Sequence, residues 1–474
     1  MANSKGKVLV GMSGGVDSSV AALLLQRMGY EVIGVTLQLW REDKVSGELS
    51  ESGVAGERNI DFSAAEDAKR VAEKLGIPHY VLDFGEIFRT CVVDRFLSEY
   101  LHGRTPNPCV VCNRYVKWEA LLKKAGELGA DYIATGHYAR IIKLRNGRFS
   151  LGMSKGAIKD QTYALYDLTQ EQLSRTLMPL GQYDKDEVRA IAAEANLPVA
   201  NKPDSQEICF IPDHDYGAFI EREVMRCAGC RACPPAGNFV TKDGTILGRH
   251  KGIIHYTIGQ RRGLGLPMGR HVYVTEIRPD TNEVVVGEGE DVFSRGLICS
   301  GLNFMSVEDL EPGSSRRLFA KIRYRHKGEW CRATRCGKDC IRVEFEKPVR
   351  AVTPGQALVF YEARSEGDSV RGEGESKTGG AVQGEGGAGH SPETGSAQGN
   401  GGPGEDEVAG LYEAGRGAGH NPGKDSLERE QGLSDNTDYG FAGNVGDSCR
   451  NGDERELAID EFQVFGGGVI DSAI

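Results

Sequence analysis

Three cysteines and one glycine-bearing turn supply the residue types from which this chain is best able to build chemistry. Cys109 and Cys112 stand in Gly103-Arg-Thr-Pro-Asn-Pro-Cys-Val-Val-Cys-Asn113, and Cys209 stands in Asn201-Lys-Pro-Asp-Ser-Gln-Glu-Ile-Cys-Phe-Ile211. A thiolate is both a nucleophile and a soft metal ligand, so two cysteines at CxxC spacing suit metal binding, redox exchange or plain packing. The turn is Val8-Leu-Val-Gly-Met-Ser-Gly-Gly-Val-Asp-Ser-Ser19. Its three leading apolar residues predict a buried strand, and Val20 to Leu25 continue at helical spacing. Gly14 and Gly15 let the backbone pass close to a bound group. Ser13, Asp17, Ser18 and Ser19 fall where a helix begins, and unpaired N–H groups and the helix dipole favour an anion there. These features describe a phosphate cradle, with a plain tight turn as the alternative. It is not the GxxxxGK[ST] loop, because no lysine follows the glycines.

The surrounding elements explain how such a cradle is held. Glu31 to Trp40 predicts a second buried strand, Ala64 to Leu75 a helix, and Ile77 to Asp83 a third strand. This alternation implies an α/β fold with a doubly wound parallel sheet, whose ligands sit at the carboxyl ends of the strands. The first turn, the strand end near Leu37 and the later turn Ala134-Thr-Gly-His-Tyr138 are expected to meet there. Residues 41 to 60 are polar and unpatterned, as in an exposed loop. Phe239 to Gly248 has the pattern of a hairpin around Asp243-Gly244. From about residue 290, short strands recur at Leu318–Tyr324, Cys331–Thr334, Ile341–Phe345 and Ala357–Tyr361, which suggests a small β-barrel. Cys331, Cys336 and Cys340 are expected to pack in or beside that sheet.

Composition bounds the function. The 474 residues suffice for two or three domains and contain no apolar run of membrane-spanning length. The start, Met1-Ala-Asn-Ser-Lys-Gly-Lys7, lacks the apolar core of a signal peptide, so a cytoplasmic protein is expected. Twelve cysteines in such a chain argue for thiol chemistry, metal or packing rather than a disulfide framework. The net charge of −11 is carried by one stretch: Glu366 to Arg455 holds 18 acidic and 7 basic residues, and the remainder is neutral. An RNA partner is therefore compatible with the charge. The same stretch contains 24 glycines and few large apolar groups, a composition that predicts disorder.

Seven motifs in order, SGGVDSS, GRTPNPCxxCN, ATGHYAR, KDQTY, DSQEICFIP, HYTIGQRRGLG (His255 to Gly265) and TPGQ (Thr353 to Gln356), resemble those of the bacterial tRNA-specific 2-thiouridylases. The first also resembles the PP-loop of ATP pyrophosphatases. The likeness spans nearly the whole chain except residues 41–60 and about 363–457. It implies a PP-loop catalytic domain at 1–215, a small central domain at 216–289, and a tRNA-binding β-barrel at 290–474, interrupted by the insertion. It implies 2-thiolation of the wobble uridine in tRNAs for Lys, Glu and Gln, with ATP and Mg²⁺ as cofactors and a sulfur-donor protein or persulfide relay as partner. No membrane partner and a monomeric state are expected.

By the same resemblance, Cys112 is the nucleophile and Cys209 the persulfide carrier, and the two face one another and form a transient disulfide. Gly11, Met12, Ser13, Gly14, Gly15, Val16, Asp17, Ser18, Leu37 and Gly136 bind ATP. Asp17 positions metal or phosphate, or else caps its helix. Asn107, Pro108, Cys109, His137, Lys159, Asp160, Gln161, Arg323, Tyr324 and Gln356 meet the tRNA. Arg261 and Arg262 are candidates for RNA phosphate contacts. One departure stands out, because many family members have aspartate where this chain has Cys109. Cys109, Cys112 and Cys209 together offer three soft ligands, enough for a [4Fe–4S] cluster with one open iron, as some related tRNA thiolases use to carry sulfide. These residues offer two routes for sulfur, a persulfide on Cys209 or sulfide on such a cluster. Cys227, Cys230 and Cys233 have CxxCxxC spacing without an evident fourth ligand, as either a metal loop or incidental thiols. The rival functions are another PP-loop adenylating enzyme and an RNA-binding module without catalysis. The intact SGGVDSS and both Cys112 and Cys209 argue against the second.

Overall fold

The computed structural model describes residues 4–39, 63–156, 159–204, 208–211, 213, 215–226, 232–365, 367–371 and 461–474. The expected loop at 41–60, the cysteines Cys227 and Cys230, Ser205 to Glu207 of the Cys209 motif, and most of the acidic insertion lie outside them.

The buried strand Lys7–Gly11 forms the middle of a five-stranded sheet. Its order is His79–Asp83, Glu31–Gln38, Lys7–Gly11, Tyr132–Ala134, Thr176–Leu177, and every pairing is parallel. Val8, Leu9 and Val10 are fully buried, as a strand covered on both faces requires. On one face, Val8 and Val10 pack with Val20, Leu24 and Val71. On the other, Leu9, Ile33 and Ile133 pack with Trp118 and Leu121. The helix Val16–Arg27 starts directly after the turn.

A four-stranded central sheet has the order Tyr273–Arg278, Glu283–Gly287, Gly237–Val240, Ile246–His250. It contains the expected hairpin, closed by the Thr245 carbonyl accepting from the Thr241 N–H. The last sheet closes on itself. Phe293–Phe304, Cys340–Arg350, Glu329–Gly337, Ser315–Lys321, Ala357–Ala363 and Phe462–Ala473 pair in that order, and the last strand pairs again with the first. Closure pairs the first of these six strands with the last. The predicted strand at Leu318–Tyr324 ends at Lys321, and Arg323 and Tyr324 lie in the turn that follows.

Two features were not expected. The short strands Arg140–Lys143 and Phe149–Gly152, which follow the parallel sheet, extend the barrel sheet through Gln463 and Gly152. Val359, Tyr361 and Val464 of the barrel then share one core with Leu9, Trp118 and Ile133. Cys336 and Cys340 are joined as a disulfide at a hairpin end of the barrel, with Cα atoms 5.4 Å apart.

Candidate functional site

The turn after Lys7–Gly11 is held from the neighbouring strand. The Met12 N–H donates to the Val35 carbonyl at 2.7 Å, and the Thr36 hydroxyl donates to the Met12 carbonyl at 2.8 Å. Leu37 follows on that strand. Gly14 has φ +67°, and a Cβ there would collide with the Ala64 carbonyl. The Ser13 N–H donates to the Ser18 hydroxyl at 3.1 Å, and the Ser18 and Ser19 hydroxyls donate to the Gly15 carbonyl. Among the described residues, no side chain caps the helix at Gly15, which leaves its first N–H groups without a side-chain acceptor there.

Asp17 does not cap the helix. Its carboxylate accepts from Lys185 Nζ at 2.7 and 2.9 Å and from the Tyr138 hydroxyl at 2.7 Å. Lys185 also pairs with Asp204 at 2.7 Å, and Lys159 and Arg189 reach Asp204 at 3.0 and 3.1 Å. Burial works against the Asp204 carboxylate, but hydrogen bonds from Lys185 and Lys159 outweigh it and hold its pKa below the usual value. Lys202 donates to the Gly14 carbonyl at 3.1 Å and pairs with Asp67. Four cations, Lys159, Lys185, Arg189 and Lys202, thus gather beside the cradle, which suits a polyphosphate held by positive charge and helix N–H groups. Sequence reading missed Lys185, Arg189, Lys202 and Asp204. The local signal at Lys185 is an N-terminal capping box formed by Asp184 and Glu187, which marks a helix start and nothing more.

The turn Thr135–Tyr138 presses against the cradle. A Cβ on Gly136 would lie 2.6 Å from the Ser18 nitrogen. Gln161 fixes this turn from the side: its side-chain oxygen accepts from the Tyr138 N–H at 2.9 Å, and its own N–H donates to the Tyr138 carbonyl at 3.0 Å. His137 shares a 2.7 Å hydrogen bond with the Thr135 hydroxyl, and its ring lies 5.5 Å from that of Trp118. Burial, and then the charge of Lys117, hold the His137 pKa well below its ordinary value, so the ring is neutral.

Trp118 belongs to the cysteine helix. Asn107 caps that helix by accepting from the Cys109 N–H at 3.1 Å, Pro108 occupies its first turn, and Cys109 is exposed. From Cys112 to Ala120 the helix widens to a π-helix, a form that is rare and frequent at functional sites. Cys112 is buried and packs with Val116, Phe210 and Ile211, which brings the Cys209 segment against it. Burial pushes the Cys112 thiol up, Lys117 opposes that, and Cys109 adds to it. Cys209 reaches solvent yet is hemmed in by protein. That confinement, with Cys112 and Cys109 adding to it, pushes its thiol up to about 12, against the pull of Lys117. The three thiols therefore lie in one electrostatic neighbourhood. Among the described residues, however, no three Cys, His, Asp or Glu side chains converge as they would around a metal ion. The trio does not fit a cluster. Cys233 is half-buried and packs against the hydrophobic cluster that contains Cys112.

The remaining predicted contacts split into exposed and internal groups. Arg261 and Arg262 are exposed on the central domain. Tyr324 is 43% exposed, while its hydroxyl donates to the Asp160 carbonyl at 3.1 Å. The Arg323 guanidinium donates to the Arg350 carbonyl at 2.7 Å. The Asp160 carboxylate is buried, accepting from the Ser154 N–H and the Thr162 hydroxyl. Gln356 Nε2 donates to the Thr105 carbonyl at 2.8 Å and lies 3.3 Å from the Pro106 carbonyl.

Comparison with known proteins follows the same three regions. Residues 6–213 match the model described as "tRNA methyl transferase HUP domain", residues 231–288 the "tRNA methyl transferase PRC-barrel domain", and residues 294–375 the "Aminomethyltransferase beta-barrel domain". A protein of Lachnoclostridium phytofermentans named "tRNA-specific 2-thiouridylase MnmA" is 56% identical over 368 residues, covering 78% of this chain and 98% of that one. Proteins of the same name from Clostridium perfringens and Carboxydothermus hydrogenoformans are 53% and 52% identical, covering 76% and 75% of this chain and 96% and 94% of their own.

Proposed function

The chain belongs to the bacterial tRNA-specific 2-thiouridylase (MnmA/TrmU) family and is a tRNA-uridine 2-sulfurtransferase that uses ATP, and from that premise we propose how its residues carry the reaction. ATP adenylates the C2 oxygen of the wobble uridine, and pyrophosphate leaves into the cradle of Gly11 to Ser18. Leu37 and Gly136 border the adenosine. Asp17 would help to hold Mg²⁺, which would supply charge neutralisation for the phosphates. Lys185 fixes the Asp17 carboxylate for that task.

Sulfur then arrives as a persulfide on Cys209. Its terminal sulfur attacks C2 and AMP departs with the former C2 oxygen, leaving the base joined to Cys209 through a disulfide. The Cys112 thiolate attacks the Cys209 sulfur, which releases 2-thiouridine and leaves a Cys112–Cys209 disulfide. A thiol reductant or the donor protein returns that disulfide to two thiols. Residues 1–215, 216–289 and 290–474 are assigned as catalytic, central and tRNA-binding domains, the last with its insertion at about 363–457. The substrates are tRNAs of the Lys, Glu and Gln type, positioned by Asn107, Pro108, Cys109, His137, Lys159, Asp160, Gln161, Arg323, Tyr324 and Gln356. A persulfide-bearing donor supplies the sulfur, and the enzyme works as a monomer in the cytoplasm.

One observation carries this reading. The single turn Thr135–Tyr138 touches the cradle through Gly136 and Tyr138 and the cysteine helix through His137 and Trp118. Activation and sulfur delivery thereby share one wall. The test is nucleoside mass spectrometry of tRNA incubated with protein, ATP, Mg²⁺ and a persulfide donor. We expect 2-thiouridine from an iron-free preparation, and none from Cys112→Ser or Cys209→Ser. Absence of product from the native protein with either persulfide or sulfide refutes the reading.

A further inference from the structure

Lys117 lies five residues after Cys112 in the same π-helix. In an α-helix the residue stacked over i is i+3 or i+4, and i+5 turns away. A π-helix bonds i to i+5, so its wider turn carries residue i+5 back over residue i. The widening thus places the Lys117 ammonium on the side of Cys112. Its charge acts on Cys112, Cys209 and His137, which come from three separate segments. Among the described residues, Lys117 has no side-chain hydrogen bond or ion pair. Among the described residues, no carboxylate pairs with this half-buried ammonium, whose charge reaches two thiols and a neutral imidazole.

We propose that Lys117 is a positioning residue for sulfur transfer: its ammonium balances the negative charge that resides in turn on the Cys209 persulfide and the Cys112 thiolate. This rests on the two-cysteine route above. The other groups around the thiols leave that task to Lys117. Cys109 is another thiol. On the packed helices, Arg89 is paired with Glu223 and Asp94, and Lys124 with Glu127. Glu86 is exposed, and the Tyr163 hydroxyl is bonded to the Ala357 carbonyl. His137 carries no charge at neutral pH.

The experiment measures the rate of iodoacetamide alkylation of Cys209 against pH, by peptide mass spectrometry, in full-length native protein, Lys117→Gln, Lys117→Met and Lys117→Arg. Loss of the ammonium is expected to move the pH midpoint upward and to slow alkylation about fivefold at fixed neutral pH. Arginine restores the native profile. Unchanged profiles in Gln and Met variants that retain the native melt overturn the proposal. So does weakened tRNA binding with an unchanged profile, which would assign Lys117 to a tRNA phosphate. Should Gln and Met fail to fold, an Arg variant that folds but shows the raised midpoint is contrary to the proposal, and a native midpoint upholds it. Alkylation needs no turnover, so thiolation that survives in Cys112→Ser refutes the two-cysteine route without bearing on this profile.

Discussion

The Gln356 side chain, from the turn leading into a barrel strand, donates to the main-chain carbonyl of Thr105, 251 residues earlier, at 2.8 Å. The Thr105 N–H in turn donates to the Pro354 carbonyl at 2.9 Å. The barrel therefore grips the loop that leads into the cysteine helix. Gln356→Ala removes this clasp at a net cost of about 1 kcal/mol of stability. A loop freed by an ångström misplaces Cys112, so thiolation should fall by about 10-fold or more while the melt shifts little. A single-turnover thiolation assay beside a thermal melt checks both halves. Equal rates for variant and native protein would show that the clasp is structural only.

Gly136→Ala tests the contact between the two halves of the site. The added methyl meets backbone at the Ser18 nitrogen, 2.6 Å away, and backbone cannot rotate aside. The cradle must move outward, so ATP affinity should fall at least about 10-fold by isothermal titration. Binding of tRNA alone should be retained. Normal ATP affinity would mean that the turn yields instead.

Residue types reveal some of this arrangement and hide the rest for a physical reason. The parallel strands are legible because Val8 to Val10 are buried on both faces and read as an apolar run. The barrel strands are legible because burial alternates along Cys340–Arg350. Which strands pair is a long-range matter, so nothing within Arg140–Lys143 announces that it joins the barrel sheet. The π-helical widening at Cys112 has no local signature either. Asp17 and Lys185 are 168 residues apart, and only the closed fold makes them partners. The glycine-bearing turn and the cysteines stand out in the sequence because local chemistry marks them. Lys185 and Lys117 do not, because a lone lysine on a helix resembles a solvated one.

Lys185→Met addresses that hidden pairing. Lys185 is mostly buried between Asp17 and Asp204, and its loss leaves two facing carboxylates without their bridge. Pyrophosphate release should drop by about 100-fold, in line with misplacement of a catalytic group. Cys209 alkylation should be unaffected, because sulfur chemistry does not depend on this bridge. Full pyrophosphate release would remove Lys185 from the activation step.

Acid should destabilise the protein from pH 6.5 downward. Burial, and then the nearby Arg323 and Lys321, lower His326 to about 4, and burial with Lys117 lowers His137 as well. Below pH 6.5 the unfolded chain takes up protons that the folded one refuses. Their stabilising contribution is therefore complete above 6.5 and lost as pH falls through the folded values. The melting temperature should fall steadily between pH 6.5 and 4, and His326→Gln should flatten that slope. A melt independent of pH across this window would contradict the buried neutral state of these rings.

The ends of the insertion are tied together by the barrel itself. Ala363 pairs with Phe462 across antiparallel strands, and the Arg364 N–H donates to the Glu461 carbonyl at 2.8 Å. Ser369 and Val370 then pair with Lys143 and Ile142. Arg371 donates to the Thr176 carbonyl at 3.0 Å, and its guanidinium lies over the Phe149 ring. These anchors lie before residue 372 and after residue 460, and the described pairings that close the barrel are made by strands on either side of that stretch. Replacing those residues with a flexible linker of about ten residues joins ends already held near each other, and loop length costs little in closure entropy. The shortened protein should keep its melting temperature within a few degrees and its thiolation rate within about twofold. Loss of the barrel, read as a collapsed melt or as aggregation, would show that the removed residues take part in closing it. A normal melt with thiolation lowered or raised more than tenfold would give the insertion a role in catalysis or tRNA capture.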